Sequence, residues 1–333
     1  MSVKSSVLTY LESQKSRYVS GEELAARLSC SRTAVWKAIQ SLRQEGYTIK
    51  AVTNKGYLLE KDSGLLSADM ISSYLNSPDI PVMVYKKVAS TNLLLRQKAL
   101  ESASSLPGVP SLPDGSMVLA ESQSAGRGHL GLGFFSPEKS GLYLSILYHP
   151  KALLAQSRLV TAAAAAAVWD AVHSVCGYDL DIKWVNDLYF QGKKVCGILT
   201  EASSSFETGE IDCIIIGIGL NLSEPDGGFP PSFGSDIGAI TKDGCTPDGL
   251  PINRNRLAAA ICSTFLQLAD SPSVPEIYRS RSMILGRSVI ITGPDGISQT
   301  VTPLSIENDG SLTCRTETGS ICSFPYGNIR LTD

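Results

Sequence analysis

The sequence predicts an α+β fold in three parts: a small helical module with a β-hairpin, a central unit with a mixed sheet, and a small C-terminal β-barrel. Three observations support this prediction. Amphipathic helix patterns and a hairpin pattern fill positions 1–60. Strand and helix patterns alternate from residue 82, and short strand patterns with Asp-Gly turns follow residue 271. The 333 residues are enough for more than one hydrophobic core.

The first module has the pattern of a winged helix-turn-helix. Apolar residues at helical spacing predict a first helix over 4–17, a second that starts at the N-cap Ser20, and a third over Arg32–Gln44. Gly46 fits the left-handed cap that ends a helix, and 47–59 fits a β-hairpin. Three helices followed by such a wing make up this fold.

The third helix presents polar and basic side chains near its N-terminus, where a recognition helix meets bases and phosphates. Positions 1–60 hold nine Lys/Arg against five Glu, whereas the rest of the chain holds 20 basic and 27 acidic side chains. We expect a DNA-binding surface made of Ser31, Arg32, Thr33, Trp36, Lys37 and, at the wing tip, Lys55. A module that binds protein, or only tethers, is the alternative interpretation.

Composition marks the domain boundaries. We predict a winged helix-turn-helix domain over 1–62, a linker over 63–81, a central domain over 82–275 and a C-terminal β-barrel over 276–333. The loop over 224–249 is rich in Gly, Pro and Asp, and its length is typical of a lid or of a disordered segment.

Each element of the two later domains follows from a local pattern. The predicted central strands are Val82–Val88, Met117–Glu121, Gly141–Tyr148, Asp181–Val185, Leu188–Gln191, Lys193–Ser203 and Asp212–Asn221. The predicted helices are Thr91–Ser102, Leu154–Val175 and Arg254–Leu268. The predicted barrel strands are Ser288–Thr292, Gln299–Ile306, Ser311–Thr316 and Ile321–Phe324.

Cysteines and apolar runs argue against several protein classes. The eight cysteines show no CxxC spacing and no histidine at metal-ligand spacing, which predicts reduced thiols and no dedicated metal site. The longest apolar run, over 161–169, is shorter than a bilayer span, and the N-terminus lacks a signal pattern. We therefore expect a cytoplasmic protein without a membrane partner.

Two predicted strands carry lysines among apolar residues. Lys183, Asp187 and Lys194 lie close together in sequence around a tight turn at Gln191 and Gly192. Burying an ammonium group without a partner is costly, so such strands predict a bound anion.

Two further segments have the chemistry of ligand sites. Three glycines and Arg127 lie within 126–131, where backbone N–H groups and a guanidinium can approach an anion. This loop lacks the Gly-Lys-Ser/Thr of a phosphate loop and the helix of a dinucleotide fingerprint, so a structural glycine loop remains equally compatible. Residues 90–92, Ser-Thr-Asn, fit either a helix N-cap or a contact to a neutral polar group.

These segments, taken in order, resemble the motifs of bacterial bifunctional biotin–protein ligases that also repress the biotin operon. The matching motifs are Ser90-Thr91-Asn92, Gln123-Ser124-Ala125-Gly126-Arg127-Gly128, Phe135-Ser136-Pro137, Lys183-Trp184-Val185-Asn186-Asp187, Lys194-Val195-Cys196-Gly197-Ile198-Leu199 and Gly217-Ile218-Gly219-Leu220-Asn221. The resemblance covers nearly the whole chain and implies that the central domain is an α/β ligase domain and the terminal barrel is SH3-like.

The resemblance implies a two-step reaction. Biotin and ATP, with Mg²⁺, give biotinyl-5′-AMP, and the biotinyl group then passes to a lysine of a biotin carboxyl carrier protein, such as a subunit of acetyl-CoA carboxylase. An adenylate-bound homodimer is expected to repress transcription at operator DNA. A lipoyl- or octanoyl-type ligase and a repressor with weak ligase activity are the alternatives.

The resemblance also implies roles for individual residues. The catalytic set would be Lys194, Arg127, Lys183 and Asp187. The biotin-binding set would be Ser90, Thr91, Asn92, Gln123, Arg127, Gly128, His129, Lys194, Gly197, Leu199 and Gly217. The nucleotide-binding set would be Gly126, Asn186 and Asn221, and no dedicated metal site is implied.

Three positions depart from the family pattern. His129 and Leu132 stand where the family commonly has arginines, and Val185 stands where it commonly has proline. Losing a charged hydrogen bond to a phosphate costs about 1–3 kcal/mol. We therefore expect a weaker hold on the adenylate, with its formation less affected.

Overall fold

The computed structural model describes residues 2–14, 17–44, 46–59, 64–77, 79–103, 111–128, 131–150, 157–204, 211–234, 236–293 and 296–332. Within these residues the strands form sheets of two, seven and five strands. The α+β class with an N-terminal helical module, a central mixed sheet and a C-terminal β-sheet is thereby confirmed.

The N-terminal module has its own hydrophobic core. Its elements are α1 (Val3–Ser13), α2 (Gly21–Arg27), α3 (Arg32–Gln44), β1 (Ile49–Val52) and β2 (Gly56–Leu59). Leu8, Leu24 and Ile39 from the three helices pack with Leu59 of the wing and are almost fully buried. The Ser20 hydroxyl accepts a hydrogen bond from the Glu23 amide at 3.0 Å, as the predicted N-cap requires. The first helix ends at Ser13, earlier than predicted.

The wing is fixed against the segment that precedes α2. Tyr57 and Val19 exchange two backbone hydrogen bonds of 2.8 Å. Gly56 has a φ of +102°, and a side chain there would collide with the Val19 backbone. The hairpin therefore has a set position relative to α3.

The predicted linker contains a helix that belongs to two cores. Helix α4 (Ala68–Tyr74) starts at the N-cap Ser67, whose hydroxyl accepts from the Met70 amide. Met70 is buried in the N-terminal core, whereas Ile71 is buried in the central core. Helix α4 thus packs on both the module and the central domain.

The segment before α4 is anchored by a buried ion pair. Arg254 Nη2 lies 2.7 Å from Glu121 Oε2, and the two side chains are only 7% and 9% exposed. Arg254 also donates to the Gly64 carbonyl, and Glu121 Oε1 accepts from the Leu66 amide at 2.8 Å. The charges therefore hold the linker backbone against the central domain.

The central domain contains a seven-stranded mixed sheet. Its strands are β3 (Val82–Val88), β4 (Met117–Gln123), β5 (Gly141–Tyr148), β6 (Asp181–Lys183), β7 (Asp187–Phe190), β8 (Lys193–Ser204) and β9 (Ile211–Asn221). They lie in the order β3-β4-β5-β9-β8-β7-β6. Strands β3 and β4 are parallel, and the other neighbours are antiparallel.

Helices cover both faces of this sheet. Helix α5 (Thr91–Ala103) packs through Leu95 on Leu147 and Ile215. The opposite face carries α6 (Ser157–Ala171) and α7 (Arg254–Leu268) in the largest core. Asn92, at the start of α5, lies directly against Gly217 of β9, which has no side chain to fill this face of the sheet.

Helix α6 continues into a π-helical turn, Val172–Cys176, and is longer than the apolar run noted in the sequence. Together they form a helix of 19 residues, Arg158–Cys176, which is long and apolar enough to cross a membrane by length and composition. However, 78% of its apolar window is buried inside the protein. Its packing is that of a core helix.

The C-terminal region is a five-stranded antiparallel sheet that follows α8 (Glu276–Ser280). Its strands are β10 (Val289–Thr292), β11 (Ser298–Ile306), β12 (Leu312–Thr316), β13 (Ile321–Phe324) and β14 (Asn328–Leu331). They lie in the order β13-β12-β11-β10-β14, and β14 was not predicted. Trp184 Nε1 donates to the Gly310 carbonyl at 3.0 Å, which joins this sheet to the central domain.

Candidate active site

A cavity of about 510 Å³ lies among the start of α5, the loop after β4 and the glycine-bearing parts of β8 and β9. The predicted site residues that line it are Ser90, Thr91, Asn92, Gln123, Arg127, Gly128, Lys183, Asn186, Asp187, Lys194, Gly197, Leu199, Gly217 and Asn221. Gly126 is not part of the lining, and His129 lies outside the described residues. The fold therefore brings nearly all of the predicted ligand-side residues together.

The start of α5 forms a neutral polar corner of the cavity. Ser90, Thr91 and Asn92 are 3%, 4% and 4% exposed. The Thr91 amide donates to Gln123 Oε1 at 2.9 Å, and the Thr91 hydroxyl lies 3.2 Å from the same oxygen. Gln123 Nε2 donates to the Ser136 hydroxyl at 2.8 Å. Uncharged groups held in fixed orientations suit a neutral polar ligand.

Asn92 is held by two strands of the sheet. Its Nδ2 donates to the Glu201 carboxylate at 2.7 Å and to the Leu199 carbonyl at 3.3 Å, and its Oδ1 accepts from the Ser145 hydroxyl at 2.5 Å. A side chain at Gly217 would collide with this amide, which explains the glycine. The sequence does not predict Glu201 or Ser145, since contacts between distant strands leave no local pattern.

The loop after β4 folds back on itself. The Gly126 carbonyl accepts from the Phe134 amide at 2.9 Å, and the Gly128 amide donates to the Leu132 carbonyl at 2.6 Å. A side chain at Gly126 would collide with the Phe134 backbone. The structural role that the sequence left open is therefore present. The Gly128 amide donates within the loop while Gly128 also lines the cavity, and its role in biotin binding stays a prediction.

The two predicted lysines lie beside Asp187 on one side of the cavity. Lys194 Nζ is 2.6 Å from Asp187 Oδ1, and the two side chains are 30% and 18% exposed. In the backbone register, Asp187 of β7 lies opposite Lys183 of β6. Arg127 is exposed, and no carboxylate pairs with it in the part of the chain that the structure describes. This side of the cavity can therefore receive an anion.

Lys183 is half-buried beside Tyr189. Its Nζ is 3.4 Å from the Tyr189 hydroxyl and 5.4 Å from the centre of that ring. Burial lowers the pKa of Lys183 below its usual 10.5, while the neighbouring Asp187 carboxylate opposes this change. The Tyr189 hydroxyl donates to Asp236 Oδ2 at 3.2 Å. Asp236 therefore adds a second carboxylate that the sequence does not single out.

The 224–249 loop lies along β8 and closes one side of the cavity. The Gly238 amide donates to the Lys194 carbonyl at 3.0 Å. Asn221 Nδ2 donates to the Gly238 carbonyl at 3.0 Å, and Asn186 Nδ2 donates to a β8 carbonyl at 2.7 Å. Both predicted nucleotide-binding amides therefore also support the cavity wall.

Four phenylalanines form an aromatic wall that the sequence does not reveal. Phe134 lies so close to Gly219 that a side chain there would collide with its ring. Phe135 is 5.6 Å from Phe233 and 6.4 Å from Phe229 between ring centres. The wall joins the glycine loop to the 224–249 loop and offers flat apolar surfaces to a ring system.

Two of the three departures from the family pattern can be placed. Leu132 lines the cavity and is 68% exposed, so it offers an apolar side chain where an arginine was expected. The Val185 side chain is partly buried against the central core, and its carbonyl accepts a hydrogen bond from the buried Tyr278 hydroxyl at 2.7 Å.

The predicted DNA-binding surface lies on the N-terminal module. Ser31 caps α3, since its hydroxyl accepts from the Ala34 amide at 3.1 Å. Four further side chains are exposed on the first turns of α3: Arg32, Thr33, Trp36 and Lys37. Trp36 is 54% exposed, which is unusual for an indole away from an interface. Lys55 Nζ lies 6.0 Å from the centre of the Tyr18 ring on the wing side.

Two protein families match the sequence. Residues 4–58 match a helix-turn-helix (HTH) domain family, and residues 101–221 match the biotin/lipoate A/B protein ligase family. The second range covers the glycine loop, both lysines and Asn221.

Curated relatives carry both functions in their names. The bifunctional ligase/repressor BirA of Bacillus subtilis (strain 168) is 37% identical over 214 residues, which are 64% of this chain and 63% of that protein. BirA of Escherichia coli (strain K12) is 34% identical over 208 residues, 61% of this chain and 59% of that protein. The matched region thus spans a little under two thirds of these relatives.

A solved structure has the same fold over most of the chain. The biotin protein ligase from Aquifex aeolicus in complex with biotin and ATP superposes with a TM-score of 0.59 and 26% identity. The superposition covers 76% of this chain and 99% of the Aquifex protein. The chain therefore contains one segment that matches a helix-turn-helix domain family and one that matches the biotin/lipoate A/B protein ligase family, and it is similar to the bifunctional ligase/repressors over a little under two thirds of their length.

Proposed function

We propose that this protein is an ATP-dependent, AMP-forming biotin–protein ligase. It would join biotin and ATP as biotinyl-5′-AMP and then transfer the biotinyl group to a lysine of a biotin carboxyl carrier protein. One observation supports this most strongly: the cavity combines a neutral polar corner with a cationic side. The ureido ring of biotin is neutral and polar, whereas its carboxylate and the α-phosphate of ATP are anions.

The cavity has the size and surfaces for this ligand. A volume of about 510 Å³ lies within the usual range for small-molecule sites. The polar corner of Ser90, Thr91 and Gln123 would hold the ureido ring. Phe134 and the glycines below it leave a flat slot for the apolar part of the ligand.

The first step requires two anions to meet. A biotin carboxylate oxygen attacks the α-phosphorus of ATP, and pyrophosphate leaves with the electrons of the broken P–O bond. Lys194 and Arg127 would hold the carboxylate and the α-phosphate together, because cations reduce the repulsion in the transition state. Lys194 would leave its ion pair with Asp187 and bind the ligand. Lys183 would contact the rest of the triphosphate.

The second step is acyl transfer. The neutral amine of the acceptor lysine attacks the biotinyl carbonyl carbon, the bond from that carbon to the phosphate oxygen breaks as AMP leaves as the weaker base, and the proton lost by the nitrogen passes to solvent water. Lys194 and Arg127 would then stabilise the negative charge on the departing phosphate. The same cations therefore serve both steps.

Mg²⁺ would enter the site bound to the triphosphate. Among the described residues, no group of three or more His, Cys, Asp or Glu side chains could hold a metal ion. Asp187 is the carboxylate of the predicted set that could contact the ion once Lys194 has turned to the ligand. The ion would neutralise phosphate charge.

The N-terminal module would make the protein a repressor as well. We propose that the adenylate orders the 224–249 loop and favours a homodimer whose two α3 helices read an operator with two half-sites. The protein would act in the cytoplasm, where the biotin carboxyl carrier protein and the operator are both present.

Pyrophosphate release with biotin or lipoate separates this function from a lipoyl-type ligase. We expect release with biotin and little with lipoate, since a lipoyl chain leaves the polar corner unsatisfied. Lys194→Ala should abolish biotin-dependent release. Lys193→Ala is the matched control, because its side chain lies next in β8 and outside the cavity lining. Release that does not need biotin, or equal rates for the two variants, would refute the assignment.

A further inference from the structure

The sheet beneath α5 carries a carboxylate at a point where the cavity needs a neutral surface. Glu201 lies on β8, two residues beyond Leu199 and on the same face of the sheet. It does not line the cavity, and its carboxylate reaches the cavity only through Asn92 Nδ2, at 2.7 Å. A contact of this kind can set the orientation of a ligand-binding side chain.

Two acceptors determine which way the Asn92 amide points. The Glu201 carboxylate and the Leu199 carbonyl can only accept, so both must face the NH₂ end of the amide. Both Nδ2 hydrogens are thereby used. The Oδ1 atom is left to face Ser145, whose hydroxyl therefore donates to it at 2.5 Å.

This orientation fixes what the corner offers a ligand. Asn92 has no free donor, and its Oδ1 keeps one lone pair after the bond from Ser145. The Ser145 hydroxyl oxygen also lies 2.8 Å from the Thr91 hydroxyl oxygen. Asn92 therefore presents an acceptor, which is what a ligand N–H group requires.

We propose that Glu201 is a positioning residue for biotin: it holds the Asn92 amide so that Oδ1 faces the cavity and accepts from an N–H of the ureido ring. This inference rests on the proposed function and adds a residue to it. Without an acceptor at 201, the Leu199 carbonyl at 3.3 Å is the one of these two acceptors that remains, and an amide that turned over would present its NH₂ end as a donor to the ureido N–H.

The test separates a missing acceptor from a missing charge. Glu201→Met removes the acceptor at similar length, whereas Glu201→Gln keeps an oxygen that can accept from Nδ2. We expect E201M to raise the KM for biotin at least about tenfold, as for one lost hydrogen bond in a desolvated site. E201Q should stay within about threefold of the wild type. The KM for ATP and kcat at saturating biotin should change by less than about twofold in both.

A double-mutant cycle tests whether Glu201 acts through Asn92. In an Asn92→Ala background, E201M should not raise the KM for biotin further, because the amide that it positions is gone. If the two substitutions together raise the KM for biotin by the product of their separate factors, the inference is overturned. Glu276→Met is the control for replacing a glutamate by methionine, because the Glu276 side chain is 83% exposed. An E201M protein with the wild-type KM for biotin would also overturn it.

Thermal unfolding of each variant shows whether it folds. If E201M does not fold, the Ser145→Ala variant tests the same amide by removing the hydroxyl that donates to Asn92 Oδ1. An unchanged KM for biotin in that variant would contradict the proposal. Biotin-dependent pyrophosphate release by the wild type tests the proposed function alone. The comparison of E201M with E201Q tests this inference alone, so the two can fail separately.

Discussion

The ion pair of Lys194 and Asp187 is the central feature of the site at the scale of single residues. An ammonium group in an apolar sheet needs a counter-charge, and Asp187 supplies it at 2.6 Å. Binding of a substrate carboxylate is then an exchange of one anion for another at Lys194. Such an exchange leaves an anion beside the lysine at each stage of the reaction.

We predict that biotin binding requires glycine at position 217, because Asn92 occupies the space that a side chain there would need. Gly217→Ala would place a methyl group against the Asn92 amide and displace it. We expect a KM for biotin raised at least about tenfold, in line with the cost of about 1–3 kcal/mol for overpacking. Biotin titration checks this prediction, with Gly21→Ala as the control, since a side chain there meets only Tyr57 at 3.5 Å. A normal affinity in G217A would contradict the geometry.

Lys183 should control the alkaline limit of ATP use. Burial lowers the pKa of Lys183 from 10.5, so the cation is lost as the pH rises through this lowered value. We expect kcat/KM for ATP to fall with rising pH and to begin falling below pH 10.5. The Lys183→Arg variant keeps its charge over this pH range, so its kcat/KM for ATP should begin to fall at a higher pH. If kcat/KM for ATP falls at the same alkaline pH in the wild type and in the variant, Lys183 is not the group that causes the fall.

At the scale of elements, the linker before α4 is held by charge. Arg254→Met would leave Glu121 buried without its partner, since the two side chains are only 7% and 9% exposed. We expect a loss of about 3–5 kcal/mol in the free energy of unfolding. Arg158→Ala breaks the ion pair with the 60% exposed Asp309 and should cost only about 0–1 kcal/mol. Urea unfolding compares the two, and equal losses would contradict the role of burial.

Local patterns predicted most elements but not the contacts among them. The helices, the tight turn at Gln191 and the strands of the lysine motif follow from periodicity and turn residues, and the structure has them at nearly the predicted positions. β14 was missed because Asn328–Leu331 is short and has no turn signal after it. Glu201, Ser145 and Asp236 were missed because each acts across strands or loops that are distant in sequence.

At the scale of the whole molecule, the module and the ligase domain should be separable in function. Arg32→Ala and Lys37→Ala should weaken operator binding and lower the salt slope of log K by about 1 for each phosphate that the variant no longer neutralises. Pyrophosphate release should stay unchanged, because both side chains lie on α3 and outside the cavity. Lys98→Ala, on α5, is the control for lysine removal. Footprinting at several salt concentrations measures operator binding. If both variants bind the operator as the wild type does, the DNA-binding surface is wrongly assigned.

Coupling between the two functions should appear as assembly. We expect sedimentation of the protein with biotin and ATP to show dimers at concentrations where the free protein is monomeric, because ordering the 224–249 loop would lower the cost of association. Footprints that are identical with and without biotin and ATP would contradict a ligand-controlled repressor.

The most direct test of the central claim is to identify the product that forms in the cavity. The wild type is incubated with biotin, ATP and Mg²⁺, and the acid-quenched mixture is analysed by mass spectrometry before and after addition of a biotin carboxyl carrier domain. We expect biotinyl-5′-AMP before the addition and a biotinylated lysine with free AMP after it, with neither formed by Lys194→Ala. A mixture that contains no biotinyl-5′-AMP, or the same products from Lys194→Ala, would contradict it.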